Sequence, residues 1–221
     1  MALALAAGLG VWILALAAST FAGEASLLDN PAATAYSLVA AAGYAAMACV
    51  LLVRLPHLAN GSWASLGLRL PVASDVLTVI VAIFIVVGLR LLTFGYLVAI
   101  GQSGHVQAGL ASFRPTGALS AALAIGVGAT FAPFSEELLF RGTIYRAFLQ
   151  RLPDGRAAVA SGLCFALARF DLVLAPFFVA YGTLLAVIYR RTGNLFVPVA
   201  VRAVFDGASY ALLVWLDAAA S

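Results

Sequence analysis

Apolar residues fill this chain in long blocks parted by short polar interruptions, and the blocks set the expected elements. The runs over 1–22, 34–53 and 75–100 each match one membrane-spanning helix, for which about 20 apolar residues suffice. A longer helix is expected over 116–151, through Gly126, Gly128 and Pro133. Pro133 should kink it, because proline removes one backbone hydrogen bond and crowds the turn before it. Shorter runs follow at 156–170, 172–189 and 194–216, bringing the count to seven spans. The pattern predicts an all-α polytopic membrane protein, a bundle of about seven to eight transmembrane helices. No basic residue precedes the first run and it exceeds a signal-peptide core, so it reads as a span. Ala22-Gly23-Glu24-Ala25 nevertheless has the small residues of a cleavage site.

The interruptions are brief. Residues 24–31 form an acidic loop, 55–74 a surface loop with Trp63 as interfacial anchor, and 101–115 a Gly-rich loop carrying His105. No repeat, low-complexity tract or linker divides the chain, which therefore reads as a single transmembrane domain over 1–221, with three N-terminal spans in 1–115.

Composition sharpens this picture. Of 221 residues 64% are hydrophobic and 10% charged, at a mean hydropathy of +1.08, which excludes a soluble globular protein. All twelve basic residues are arginines, mostly at segment ends, and the net charge is only +3. Without aromatic-basic interleaving, no nucleic-acid partner is expected; the lipid bilayer is. Arg54, Arg69, Arg146, Arg151, Arg156, Arg190 and Arg191 share one side if the N-terminus is cytoplasmic, with Arg114 the exception. The chain is thus placed in a membrane with the N-terminus on the cytoplasmic side, and a bacterial cytoplasmic membrane is the expected location. Cys49 and Cys164 fall in apolar runs without metal spacing and read as small buried hydrophobes. His57 and His105 read as solvated loop residues, Arg90 as paired with a neighbouring helix, and Asp171 as a helix cap.

Charge inside the apolar runs is the candidate chemistry, since each such group costs roughly 2.5–3.5 kcal/mol to insert at a helix centre. Ala132-Pro133-Phe134-Ser135-Glu136-Glu137-Leu138-Leu139-Phe140-Arg141-Gly142 holds two of the nine acids. Glu137 and Arg141 stand at i and i+4, the favourable orientation for an ion pair, while Glu136 points about 100° away around the helix. Two later runs, Phe165-Ala166-Leu167-Ala168-Arg169 and Arg202-Ala203-Val204-Phe205-Asp206, also carry charge. At the helix rise, Glu136 lies about 15 Å from Arg146, Arg169 about 20 Å from Arg156 and Arg202 about 12 Å from Asn194. All three fall in one central slab, and a shared polar cavity is expected. Pairing Glu137 with Arg141, Glu136 with Arg169 and Arg202 with Asp206 makes the network neutral.

These residues resemble the CAAX protease and bacteriocin-processing (CPBP) family of intramembrane endopeptidases, which includes the type II CAAX prenyl endopeptidases. The first motif of that family, Glu-Glu-x-x-x-Arg, falls on Glu136, Glu137 and Arg141. Its second, Phe-x-x-x-His, falls on Phe165 and Arg169; its third, His-x-x-x-Asn or Asp, on Arg202 and Asp206. Tyr189-Arg190-Arg191-Thr192-Gly193-Asn194-Leu195 resembles the lead-in to the third motif, and Ser65-Leu66-Gly67-Leu68 a weaker upstream signature. The resemblance implies a core over about 116–216, a CAAX prenyl protease type II-like fold, and catalytic positions at Glu136, Glu137, Arg141, Arg169, Arg202 and Asp206. It also implies a glutamate that activates water, with histidines orienting it, stabilising the oxyanion or binding metal.

Both motif histidines are arginine here. Guanidinium neither ligates metal nor exchanges protons near neutral pH, so no cofactor, and no zinc, is expected. A cation beside Glu136 also favours its ionised form and makes it a poorer proton acceptor. The expectation is a non-hydrolytic relative that binds or scaffolds a membrane-embedded peptide or protein through the retained cavity. The alternative is an active endopeptidase in which Glu136 activates water and Arg169 and Arg202 stabilise the oxyanion. A transporter would need paired broken helices in equivalent halves, and none is evident.

Overall fold

A computed structural model describes residues 41–53, 66–105 and 126–220, with side chains to residue 209 and at 211. The expected first span, the 24–31 loop, Arg54, His57, Trp63 and Arg114 lie outside the described residues. Helix α1 is Ala41–Val53 and α2 is Ala73–Ala99. Helix α3, residues 127–149, joins the segments Val127–Phe131, Ala132–Glu137, Leu138–Tyr145 and Arg146–Leu149. Then follow α4, Asp154–Leu167, α5, Ala175–Thr192, and α6, Phe196–Ala220. Among the described residues there is no strand.

Helix α2 takes the place of the expected 75–100 span, and among the described residues it alone is both long and apolar enough to cross a bilayer. Its 27 residues reach about 40 Å. Leu77, Phe84, Leu91 and Leu92 are exposed along it, an apolar surface that suits lipid rather than water. Cys49 is exposed and Cys164 half-buried, so neither is the core residue expected from its apolar run. In lipid, apolar surroundings do not require burial against protein.

Pro133 does not end α3. The turns on either side widen into π geometry, Val127–Phe131 before it and Leu138–Tyr145 after it. The Ala132 N–H accordingly reaches back to the Val127 carbonyl. A proline lacks the N–H an α-turn would use and its ring presses on the carbonyl four residues back; a wider turn relieves both. In the second wide stretch Thr143 Oγ1 donates to the Leu138 carbonyl at 3.3 Å, and seven of its eight residues are buried.

Two compact units divide the chain. In one, formed from Leu52–Gln102 and Glu136–Val201, α4 and α5 lie antiparallel at very short range. A Cβ on Gly182 would sit 2.9 Å from the Gly162 Cα, and one on Gly162 would strike Thr183 Oγ1. Small residues let two backbones meet in this way. Phe165 of α4 stacks edge-on against Phe140 of α3 at 5.1 Å and Tyr181 of α5 at 6.0 Å. Helix α2 joins α5 at both ends: Arg90, expected to pair with a neighbouring helix, lies 4.7 Å over the Phe177 ring.

At the other end, Asp75 accepts hydrogen bonds from Arg69 Nη1, Asn194 Nδ2 and the Val72 N–H, each at 3.0 Å. Arg69 Nη2 also donates to the Thr192 carbonyl, and the Leu195 N–H to the Gly67 carbonyl. Gly67 and Gly193 both hold left-handed φ, +71° and +60°, and a Cβ on Gly67 would collide with the Gly193 carbonyl oxygen. Only glycine at position 67 permits both the turn and the approach.

The second unit contains the described parts of Met1–Leu51 and Ser103–Ser135, with Arg202–Ser221. There Ser135 Oγ lies 2.8 Å from the Tyr44 carbonyl and 2.7 Å from that of Phe131, tying α1 to α3. Gly207 of α6 meets Ala129, where an added Cβ would come within 3.1 Å of the alanine methyl.

Candidate functional site

The two glutamates part at the helix surface. Glu137 Oε1 accepts a 2.7 Å hydrogen bond from Arg141 Nη1, and both side chains are wholly buried. Arg141 Nη2 crosses to α5 and donates to the Gly182 carbonyl at 2.8 Å. One guanidinium thereby neutralises its own helix and fastens α3 to α5.

Glu136 faces α4. Arg169 Nη2 donates to Glu136 Oε2 at 2.5 Å, with the Glu136 side chain 1% and the Arg169 side chain 24% exposed. Helix α4, however, ends at Leu167, so Arg169 is not a helical position as the 156–170 run suggested. Tight turns follow, the Arg169 N–H returning to the Ala166 carbonyl, and Phe170 takes a left-handed φ of 51°. Asp171 then accepts the Leu174 N–H at 3.0 Å, capping the turn into α5. Arg169 is thus carried on a turn.

Phe165 unites the two pairs, a role its spacing signalled only as the head of the Phe-x-x-x-Arg run. Its ring centroid is 5.3 Å from the Arg141 guanidinium carbon and 4.7 Å from that of Arg169. Phe178 lies 5.8 Å from the latter. Ring quadrupoles facing a desolvated cation contribute about 2 kcal/mol or more. Neither Phe178 nor Gly182 stood out in the sequence, because each acts across a helix interface.

Arg202 and Asp206 sit in the other compact unit, one turn apart on α6, with Nη2 and Oδ2 3.3 Å apart. The three expected ion pairs are therefore all formed.

Residues 118–208 match the family model described as type II CAAX prenyl endopeptidase Rce1-like. Over this segment the chain is similar to the Rce1-like family. The match takes in Glu136, Glu137, Arg141, Arg169, Arg202 and Asp206, and the Rce1-like family is one of integral membrane proteins, in agreement with the lipid-suited surface of α2. No curated protein and no solved structure matches the chain. Within the matched residues, Glu136 meets the guanidinium of Arg169.

Proposed function

We propose that this Rce1-like membrane protein is a non-hydrolytic relative of the CAAX proteases, one that binds or scaffolds membrane-embedded peptides or proteins. The observation carrying this reading is the Arg169–Glu136 pair, closed over a glutamate side chain that is 1% exposed. A general base must present a free oxygen to water and take up its proton. Here one oxygen already accepts from the Arg169 guanidinium, so it is not free to take a proton from water. A divalent metal does not suit this donor set either: guanidinium has no lone pair to give and repels a second cation. In this reading Glu137 and Arg141 hold α3 to α5, and Arg202 and Asp206 balance each other. The setting is a bundle of seven to eight spans in the bacterial cytoplasmic membrane, N-terminus inside, with no cofactor.

The test uses the full chain in liposomes with membrane-embedded peptides, comparing wild type with Glu136→Gln. Peptide capture by crosslinking is expected with both proteins, and cleavage by mass spectrometry with neither. Cleavage by the wild type that disappears in Glu136→Gln would replace this reading with the endopeptidase one, Arg169 and Arg202 then stabilising the oxyanion.

A further inference from the structure

In the compact unit that holds Glu136, one end of the helices is far more basic than the other. The Arg190–Asp154 ion pair, 2.8 Å, brings the end of α5 to the start of α4. The bond from Arg69 to the Thr192 carbonyl brings the start of α2 to the same place. Arg146 follows Tyr145, whose ring packs against Tyr189 of α5 at 6.3 Å, and Arg151, Arg156 and Arg191 follow from their neighbours in the chain. Six arginines thus gather against two aspartates, Asp75 and Asp154, each already paired with an arginine. Arg151, Arg156 and Arg191 are exposed and have no carboxylate partner among the described residues. The opposite end of these helices, 100–102 and 168–174, offers Asp171, with Arg169 turned to Glu136.

The apolar surface of α2 begins at the basic end and leads away from it. Arginine forks suit phosphate oxygens, and an exposed apolar helix suits acyl chains. We infer that this end is a binding surface for anionic phospholipid, Arg151, Arg156 and Arg191 contacting the headgroup phosphate while the acyl chains lie on α2. This surface is separate from the Glu136–Arg169 pair and does not depend on whether Glu136 hydrolyses peptide.

The experiment releases the full chain from nanodiscs of phosphatidylglycerol and phosphatidylcholine in equal parts and weighs the retained lipids by native mass spectrometry. Wild type should keep phosphatidylglycerol in preference, and the preference should shrink as sodium chloride is raised. R151Q/R156Q/R191Q should lose it, by roughly fivefold per arginine removed, and R151K/R156K/R191K should keep most of it. Equal retention of the two lipids, or the same preference in the glutamine variant, overturns the inference. So does inorganic phosphate alone stabilising the protein as well as phosphatidylglycerol does, since that marks a free-anion site. Should the glutamine variant not fold, salt decides with wild type alone: a preference indifferent to salt overturns it.

Discussion

Arg141 is the largest of the fully buried side chains among the described residues, and its charge is tolerable only because three kinds of partner surround it. A carboxylate, a backbone carbonyl and two aromatic rings replace the water it gave up. Arg141→Met should therefore cost about 3–5 kcal/mol, because the buried Glu137 loses the cation bonded to its Oε1. Pairing that change with Glu137→Gln should recover much of the loss in thermal unfolding of the detergent-solubilised protein. Glu136→Gln should cost less, about 1–2 kcal/mol, since Arg169 is partly exposed and an amide oxygen still accepts its hydrogen bond. Equal losses for Arg141→Met and Glu136→Gln would contradict this ranking. The Glu137–Arg141 and Arg202–Asp206 pairs were legible in the chain because i and i+4 share a helix face whatever the tertiary structure does. Phe165 between two guanidinium groups was not, since each of those contacts depends on how a helix or turn packs.

At the level of elements, α4 and α5 are held at a distance set by two glycines. Gly182→Ala should push the helices apart and lower stability by about 1–3 kcal/mol, the usual cost of overpacking. It should also weaken the Arg141 bond to the residue 182 carbonyl. Gly155→Ala in the first turn of α4, where an added Cβ meets nothing, is the control and should be neutral or slightly stabilising. Thermal midpoints of the two variants in one detergent decide the matter: the same midpoint for both would show that the close approach carries no energy. Helix limits were readable to within a few residues for α2, because an apolar run and its polar flanks fix both ends. The end of α4 was not, because Leu167-Ala168-Arg169-Phe170 has no glycine or proline to announce a turn; a left-handed Phe170 and the Asp171 cap make it. The wide turns around Pro133 lie between these cases: the proline announces a disturbance, but not that the helix will absorb it by widening.

Across the whole molecule, the clasp at Asp75 joins stretches more than a hundred residues apart. Asp75→Ala removes the acceptor used by Arg69, Asn194 and the Val72 N–H at once. Amide exchange at 66–72 and 192–197 should then quicken by roughly tenfold or more, the worth of hydrogen bonds to a charged group. Unchanged protection at both stretches would mean that Gly67 and Gly193 hold the contact unaided. Ser65-Leu66-Gly67-Leu68 and Tyr189 through Leu195 resemble sequence signatures, yet nothing in their spacing says that 66–67 and 192–195 touch. What the amino-acid order settled alone was local: apolar blocks long enough for helices, their surroundings in lipid, and charge pairs one turn apart. These follow from helix periodicity and transfer energies, which act over neighbouring residues. That Arg169 reaches Glu136 from a turn rather than a helix, and why Gly67 lies against Gly193, were decided by packing. Contacts of that kind are chosen by the fit of whole surfaces, and distance along the chain holds no record of them.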